Sequence, residues 1–137
     1  MPLPWKVATL HSTAPDRYLP HRFPFLLLDR VLEQQPGCSA RARYRTSASL
    51  PAIPQTLLLE VLAQVSGLAT QTVQGEGGFL ASLDQARFGR PPEPGETLEA
   101  ESRVLKVFGR LCLLEGRVTA SGDELLHLTL TLGTGPL

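Results

Sequence analysis

The sequence has few cysteines, no long apolar run and no signal peptide, and each shortage excludes a class of protein. Its two cysteines, Cys38 and Cys112, lie far apart without a neighbouring Cys or His at ligand spacing. Neither a zinc site nor a disulfide framework is therefore predicted. No stretch approaches the length of a membrane-spanning helix, and the N-terminus lacks a basic start followed by an apolar block. We expect a soluble, cytoplasmic protein without a metal or other cofactor.

The charge balance also argues against nucleic acid as a partner. Thirteen Lys and Arg stand against 13 Asp and Glu, so the formal net charge is zero. A protein that binds a polyanion usually carries an excess of positive charge on one face. A chain of 137 residues is short enough for one domain. We predict a single domain over residues 1–137, with an N-terminal arm at 1–14.

Apolar runs and turn residues predict strands in both halves of the chain. Residues 25–33 form a short apolar run with prolines on both sides, which is typical of a buried strand. The next strand, at 39–46, alternates and places Arg41, Arg43 and Arg45 on one solvated face. Further strands are predicted at 79–91, 97–108, 110–120 and 124–133, and the glycine-rich stretch 75–79 is predicted as a loop.

One long helix is predicted between these two groups of strands. Residues 54–74 are apolar nearly all round, with Pro54 at the first helical position. Four polar residues of this segment fall on one narrow stripe: Thr56, Glu60, Gln64 and Gln71. Two strands, a helix and four strands indicate an α+β domain in which one helix packs on an antiparallel sheet.

Three segments resemble the 3-hydroxyacyl-[acyl-carrier-protein] dehydratase family, and they occur in the order in which that family has them. They are LPHRFPFLLLDRV at 19–31, LLLEVLAQVSG at 57–67 and LDQARFGRPPEPGE at 83–96. The resemblance covers about residues 15–133 and implies the hotdog fold, a long central helix wrapped by a curved antiparallel sheet. It also implies a dimer whose two sheets join edge to edge, with the active site at the interface.

The resemblance implies a chemistry as well. In that family a histidine of a His-Phe-Pro-Gly loop takes the C2 proton of a 3-hydroxyacyl thioester, and a carboxyl group on the central helix protonates the departing hydroxyl. The resemblance places this acid at Glu60, in a tunnel, with Gln64 one turn on to orient it. The alternative for Glu60 is a plain surface position on the polar stripe. The backbone N–H groups of Gln55 and Thr56, at the helix N-terminus, are expected to receive the thioester oxygen.

Arginines supply a candidate docking surface. Arg87 and Arg90 match basic positions of the family near the tunnel mouth. There they are expected to contact an acidic carrier protein or its phosphopantetheine arm. A solvated strand face is the alternative that stays open for both.

The loop histidine of that family has no counterpart in this sequence. Counting back from Glu60 without gaps reaches Thr46, and the connection TSASLPAIP at 46–54 is too short to hold the loop. His21 matches a different family position, so a structural role at the turn into the first strand is favoured over recruitment into a rebuilt active site. His11 and His127 are weaker candidates.

Three functions stay open on this sequence. The first is a protein that acts on, or holds, 3-hydroxyacyl and 2-enoyl thioesters of acyl carrier protein or coenzyme A, in fatty-acid or polyene-type biosynthesis. The second is a non-catalytic subunit that pairs with a full dehydratase. The third is an acyl thioesterase, for which a helix carboxylate and a water would suffice. The expected assembly is a homodimer, with a higher oligomer or a heterodimer left open, and neither nucleic acid nor a membrane is an expected partner.

Overall fold

The computed structural model describes residues 12–20, 26–49, 51–71 and 76–136. Within these residues, one α-helix and six strands follow a short 3₁₀ turn at Pro15–Arg17: β1 (Arg30–Gln35), β2 (Ser39–Arg45), α1 (Leu57–Thr70), β3 (Glu76–Phe88), β4 (Thr97–Phe108), β5 (Leu111–Ala120) and β6 (Asp123–Pro136). The strands form a single antiparallel sheet in the order β1-β2-β4-β5-β6-β3. The predicted α+β class is confirmed, and β1 and β3 are the two edges of the sheet.

Small residues on the strands let α1 lie close to one face of the sheet. The helix contacts β2 and β4 most extensively, where Ala40, Ala42 and Ala100 are buried. On β5, a methyl group added at Gly116 would lie only 3.1 Å from Leu62 Cδ2 of the helix. Leu62 is fully buried, because the helix can approach β5 closely at this glycine. Burial of apolar side chains is the main stabilising contribution in a domain of this size.

The other face of the sheet, here called the outer face, carries ion pairs that cross from strand to strand. Arg41 of β2 pairs with Glu33 of β1 and Glu99 of β4 at 3.5 and 2.6 Å. Arg117 of β5 pairs with Glu101 of β4. Such exposed pairs each contribute little to stability. They mark a face that meets water, in agreement with the solvated side predicted for the arginines of β2.

The helix is shorter than the sequence pattern predicts. It begins at Leu57 and ends at Thr70 rather than covering 54–74, of which 72–74 lie outside the described residues. At its start, the Leu57 N–H donates to Pro54 O at 3.1 Å, which is an i to i+3 bond and so a tighter turn than an α-helix makes. Pro54 therefore begins a turn that leads into the helix.

Side chains from other elements fix the end of α1. Gln71 has an extended backbone, with φ −70° and ψ 119°, and its side-chain amide donates to Tyr18 O at 2.9 Å. Gln34 of β1 donates to Leu68 O, one of the last carbonyl groups of the helix, also at 2.9 Å. The last carbonyl groups of a helix have no partner within the helix, and Leu68 O finds one on β1. Segment 12–20 and β1 together determine where the helix stops.

The starts of β1 and β3 are among the strand boundaries that differ from prediction. β1 begins at Arg30 rather than 25, because the Leu27 N–H bonds to a helix side chain, Gln64 Oε1, at 3.0 Å instead of joining a ladder. The described part of the predicted loop at 75–79 belongs to β3, where Gly78 pairs with Thr134. A methyl group at Gly78 would lie at an ordinary contact distance of 3.5 Å from Gly133 O, so this pairing does not itself depend on the glycine.

Candidate active site

A groove of about 120 Å³ runs along α1. A row of residues at helical spacing, on α1 and directly after it, lines one side of the groove: Glu60, Ala63, Gln64, Gly67 and Gln71. Residues 18–20, two positions of β3 and one of β6 supply the rest of its lining. The groove therefore has the Glu60 carboxylate near the N-terminal end of α1 and the Gln71 amide at the C-terminal end of the helix. The surface between them is mostly small or apolar.

Gln64 fixes the position of the Glu60 carboxylate. Gln64 Nε2 donates to Glu60 Oε1 at 3.1 Å, and Gln64 Oε1 accepts the Leu27 N–H at 3.0 Å. Gln64 is only 1% exposed, whereas Glu60 is exposed in the single chain. Because Leu27 requires the amide oxygen, the amide nitrogen must face Glu60, so the side chain has one orientation. The structure brings the two predicted residues together as hydrogen-bond partners, and their catalytic roles stay predictions.

The start of α1 offers hydrogen-bond donors near Glu60. Thr56 precedes Glu60 by four residues, about 6 Å along the helix axis. Neither the Gln55 nor the Thr56 N–H donates a hydrogen bond to the described part of the chain. The Gln55 side chain donates to Gly89 O at 2.9 Å, which links this helix start to the residue after β3. Two donors at the positive end of the helix dipole thus precede Glu60 by about one to one and a half helical turns.

Arg87 lies away from the groove of its own chain. It faces His127 across the β3–β6 ladder on the outer face, and its Nη2 donates to His127 Nδ1 at 3.1 Å. His127 Nε2 lies 3.4 Å from Glu115 Oε2. Both contacts are satisfied when the imidazole carries its proton on Nε2. His127 is therefore a member of the ion-pair rows of the outer face, opposite α1.

Arg90 uses all five of its N–H donors within the chain. It binds Glu96 at 3.0 and 2.7 Å and Asp123 at 2.8 Å, and it donates to the carbonyl groups of Pro91 and Ala120. The hydrogen bond from Arg90 is the main cause that lowers the pKa of Glu96 from its ordinary 4.5 to about 2. Arg90 thus links the turn before β4 to the turn between β5 and β6.

Glu96→Gln is expected to destabilise the protein at neutral pH and much less in acid. A carboxylate with a depressed folded pKa stabilises the fold above its unfolded pKa, and this contribution is lost as the pH falls from about 4.5 towards about 2. Urea unfolding should show a loss of about 1–3 kcal/mol at pH 7 and a smaller loss at pH 3. Glu99→Gln, at a 41% exposed partner of Arg41, is the matched control and should cost little at either pH. An equal loss at both pH values for Glu96→Gln would contradict the ionic origin.

Of the remaining positions that the sequence singles out, Thr46 has structural contacts, and His11 and His21 lie outside the described residues. Thr46, which falls where the family's loop histidine would stand, is 2% exposed and donates to Glu93 O at 2.6 Å. His11 and His21 lie outside the described residues, although Pro20, the neighbour of His21 in sequence, lines the groove. No cluster of His, Cys, Asp or Glu that could hold a metal ion occurs among the described residues. No helix in the described part of the chain is long and apolar enough to cross a membrane.

Sequence reasoning missed two parts of the site. The Leu27 N–H, which orients Gln64, is a backbone group and leaves no trace in the sequence. The open helix face beyond Glu60 does leave one, since Ala63 and Gly67 follow it at helical spacing and both are small. That spacing of small residues is a signal of a face left open to a ligand or to another backbone.

One helix packed on a six-stranded antiparallel sheet is the hotdog fold, and solved structures show the likeness. A dehydratase heterocomplex, ApeI:P from Xenorhabdus doucetiae, matches with a TM-score of 0.74 at 20% identity, covering 88% of this chain and 90% of that one. The uncharacterized protein PH1136 from Pyrococcus horikoshii matches at 0.70 and 14% identity, covering 85% and 90%. A hypothetical thioesterase from Streptococcus pneumoniae, solved with coenzyme A, matches at 0.66 and 14%, covering 77% and 84%. At these identities the likeness establishes the fold alone.

Sequence relatives establish the family. The 3-hydroxyacyl-[acyl-carrier-protein] dehydratase FabZ of Oceanobacillus iheyensis is 32% identical over 126 residues, covering 82% of this chain and 90% of the relative. The Haemophilus influenzae protein of that name is 37% identical over 119 residues, covering 77% and 80%. That of Bacillus subtilis is 30% identical over 130 residues, covering 85% and 92%. No family model matches the sequence. The chain belongs to the 3-hydroxyacyl-[acyl-carrier-protein] dehydratase family.

Proposed function

We propose that this protein binds 3-hydroxyacyl and 2-enoyl thioesters in the groove beside Glu60 and interconverts them by loss or gain of water, in fatty-acid or polyene-type biosynthesis. The observation that carries the proposal is the carboxylate of Glu60, held by Gln64 at a groove and within a short distance of two N–H groups without partners in the described chain. Membership of the dehydratase family supports the same chemistry.

In this mechanism the N–H groups of Gln55 and Thr56 receive the thioester oxygen as it gains negative charge. The C2–H bond breaks, its electron pair forms the C2=C3 double bond, and the C3–O bond breaks. Glu60 gives the departing hydroxyl a proton, so the leaving group is water. In the reverse direction Glu60 takes a proton from the attacking water. Gln64 keeps the carboxyl group aimed at C3.

The base that accepts the C2 proton is the part of the site that this chain supplies least clearly. The sequence contains no His-Phe-Pro-Gly segment. Of its three histidines, His127 lies on the outer face, and the other two lie outside the described residues. Because the sequence favours a structural role for His21, we assign the proton to solvent or to a partner subunit, and expect turnover to be much slower than in relatives that keep the loop histidine.

A non-catalytic subunit of a dehydratase complex is the second candidate function. The missing loop favours it, and so does the fold likeness to ApeI:P, which is a dehydratase heterocomplex. Mass spectrometry of 3-hydroxyacyl- and 2-enoyl-carrier protein after incubation separates the candidates. Slow interconversion by the purified protein supports the enzyme. Turnover that appears only on mixing with a loop-bearing dehydratase supports the partner subunit, and release of free acid supports a thioesterase.

The carrier-docking role of Arg87 and Arg90 stays a proposal, and the two residues are unequal candidates for it. Every donor of Arg90 is already bound within the chain, whereas Arg87 contacts one side chain of the described residues, at Nδ1 of His127. An anionic phosphopantetheine group offers Arg87 a charge-assisted bond that His127 does not. We therefore place the carrier contact at Arg87 first.

We further propose that two chains join through β3 and that the joined sheet curves around the helices. The edge at β1 is partly covered, since the Val31 N–H donates to Thr13 O at 2.8 Å. No described residue pairs with the free side of β3. This strand also exposes large apolar side chains, among them Phe79 and Phe88. An uncovered apolar edge is a site for pairing with another chain, and a second copy would cover the groove where Glu60 is now exposed.

Phe88→Asp is expected to convert a dimer into monomers, because it places a charge on the joining strand. Phe108→Asp is the matched control. The two side chains are 42% and 44% exposed, but Phe108 lies at the end of β4 that forms a hairpin with β5, where it pairs with Leu111, and is not on the joining strand. Sedimentation velocity at micromolar concentration should give a dimer for the wild type and Phe108→Asp, and a monomer for Phe88→Asp. A monomeric wild type would refute the proposed assembly.

A further inference from the structure

We propose that Gly67 determines the longest acyl chain that the groove accepts. The inference rests on the proposed function, because it assigns the acyl chain of a thioester to the groove beside Glu60. The thioester end is received at the helix N-terminus, at Gln55 and Thr56. From there the acyl chain runs along α1 towards the C-terminal end of the helix, past Glu60 to Gln71.

The missing side chain of Gly67 keeps this path open. Gly67 lines the groove seven residues after Glu60, about 10 Å further along the axis and on the same face of the helix. A methyl group added there would lie 3.4 Å from Leu19 Cδ2, and no other atom of the described residues comes within 4 Å of it. The methyl group would thus occupy groove space and contact the side formed by segment 18–20.

The opposite side of the groove also has a glycine in its lining. Gly78 of β3 lines it, and a methyl group there would lie 3.6 Å from Leu132 Cδ1 and 4.0 Å from Thr70 Oγ1. Further on, the Gln71 amide bonds to Tyr18 O, which joins the helix to segment 12–20. The lining here is apolar, with Leu19, Leu80 and Leu132. This combination of glycines and leucines suits an unbranched alkyl chain.

The rise of the helix and the length of an extended acyl chain together predict which substrates reach Gly67. An extended alkyl chain advances about 1.25 Å per C–C bond, given bonds of about 1.5 Å at the tetrahedral angle. Covering the roughly 10 Å from Glu60 to Gly67 therefore takes about eight bonds beyond C3. Chains of about ten carbons or fewer stop short of Gly67, and chains of about twelve or more must pass it.

The test is the chain-length profile of Gly67→Ala. Turnover is measured on 3-hydroxyacyl-carrier protein with acyl chains of four, eight, twelve and fourteen carbons. The ratio of kcat/KM for the twelve-carbon substrate to that for the four-carbon substrate should fall by about tenfold or more, the usual effect of one misplaced carbon in an apolar pocket. Because Ala is the better helix former, the melting temperature should stay equal to or rise above that of the wild type. A loss of long-chain turnover therefore cannot reflect unfolding.

Thr131→Ala is the control, since Thr131 precedes groove-lining Leu132 but points to the outer face. Its profile should match the wild type. An unchanged ratio in Gly67→Ala, or an equal loss at every chain length, would overturn the inference. If the wild type turns over no substrate, the proposed function fails, and calorimetric binding of 2-dodecenoyl-pantetheine and crotonyl-pantetheine tests the inference alone. Binding of the longer ligand by the wild type and its loss in Gly67→Ala would support the inference, and any other binding result would overturn it.

Discussion

Replacing Glu60 with Gln is expected to lower the rate of 3-hydroxyacyl thioester dehydration by about 10²- to 10⁴-fold, the usual contribution of one positioned acid or base. The amide has nearly the same size as the carboxyl group, and its oxygen can still accept the Gln64 N–H. It cannot give a proton to the departing hydroxyl. Because Glu60 is exposed and makes no part of the buried core, the free energy of unfolding should change by less than about 1 kcal/mol. Single-turnover kinetics and urea unfolding measure the two effects separately.

Two further variants decide whether the loss belongs to Glu60 itself. Glu99→Gln makes the same chemical change on the outer face and should leave turnover intact. His21→Ala should lower stability at most, if the histidine has the structural role that the sequence favours. A folded His21→Ala dimer without turnover, beside a Glu60→Gln variant that keeps its rate, would reverse the assignment of roles.

Much of the fold follows from local patterns in the sequence. The boundaries predicted for β4, 97–108, are those observed, because both ends are marked by glycines with a backbone that other residues avoid. Gly95 has φ 76° and Gly109 has φ 62°. The pairing of Glu60 with Gln64 is likewise a local matter, since residues four apart face each other on a helix.

Two of the errors, at the start of β1 and at the end of α1, share a physical cause, which is hydrogen bonding between residues distant in sequence. The start of β1 depends on the bond between Leu27 and Gln64, which are 37 residues apart. The end of α1 depends on the bond between Gln71 and Tyr18, which are 53 apart. A periodic pattern contains no information about such partners, so it extends the helix and the strand beyond their real ends.

In the candidate site, too, contacts between residues close in sequence were predictable, and contacts between distant residues were not. Glu60, Gln64 and the helix N-terminus all belong to one helix, so spacing alone brings them together. Arg90 depends on Asp123, 33 residues later, and on the turn that carries Glu96. A basic residue near a family's tunnel mouth looks the same in sequence whether its charge is available to a ligand or already bound within the chain.

Gly89→Ala is expected to destabilise the protein by about 3 kcal/mol, at the upper end of what overpacking costs. A methyl group at Gly89 would lie 2.2 Å from Glu124 O, far inside the contact distance of the two atoms. The neighbour is backbone, and the next residue, Leu125, is fully buried and accepts the Gly89 N–H at 2.9 Å. Neither strand end can move without breaking that bond or shifting Leu125. Urea unfolding should show the loss, whereas Gly67→Ala, with its methyl group at an ordinary 3.4 Å contact, should show none.

Gly89→Ala should also impair the site, because Gly89 O accepts the hydrogen bond of the Gln55 side chain at 2.9 Å. Displacing the end of β3 displaces the helix start, and with it the two N–H groups proposed to receive the thioester oxygen. Gln55→Ala separates the two consequences: it removes the link while leaving Gly89 and its bond to Leu125 unchanged. It should lower kcat with little change in the free energy of unfolding, whereas Gly89→Ala should lower both. If Gly89→Ala unfolds at the urea concentration of the wild type, the junction of β3 with α1 is free to move, and it does not hold the helix start in place.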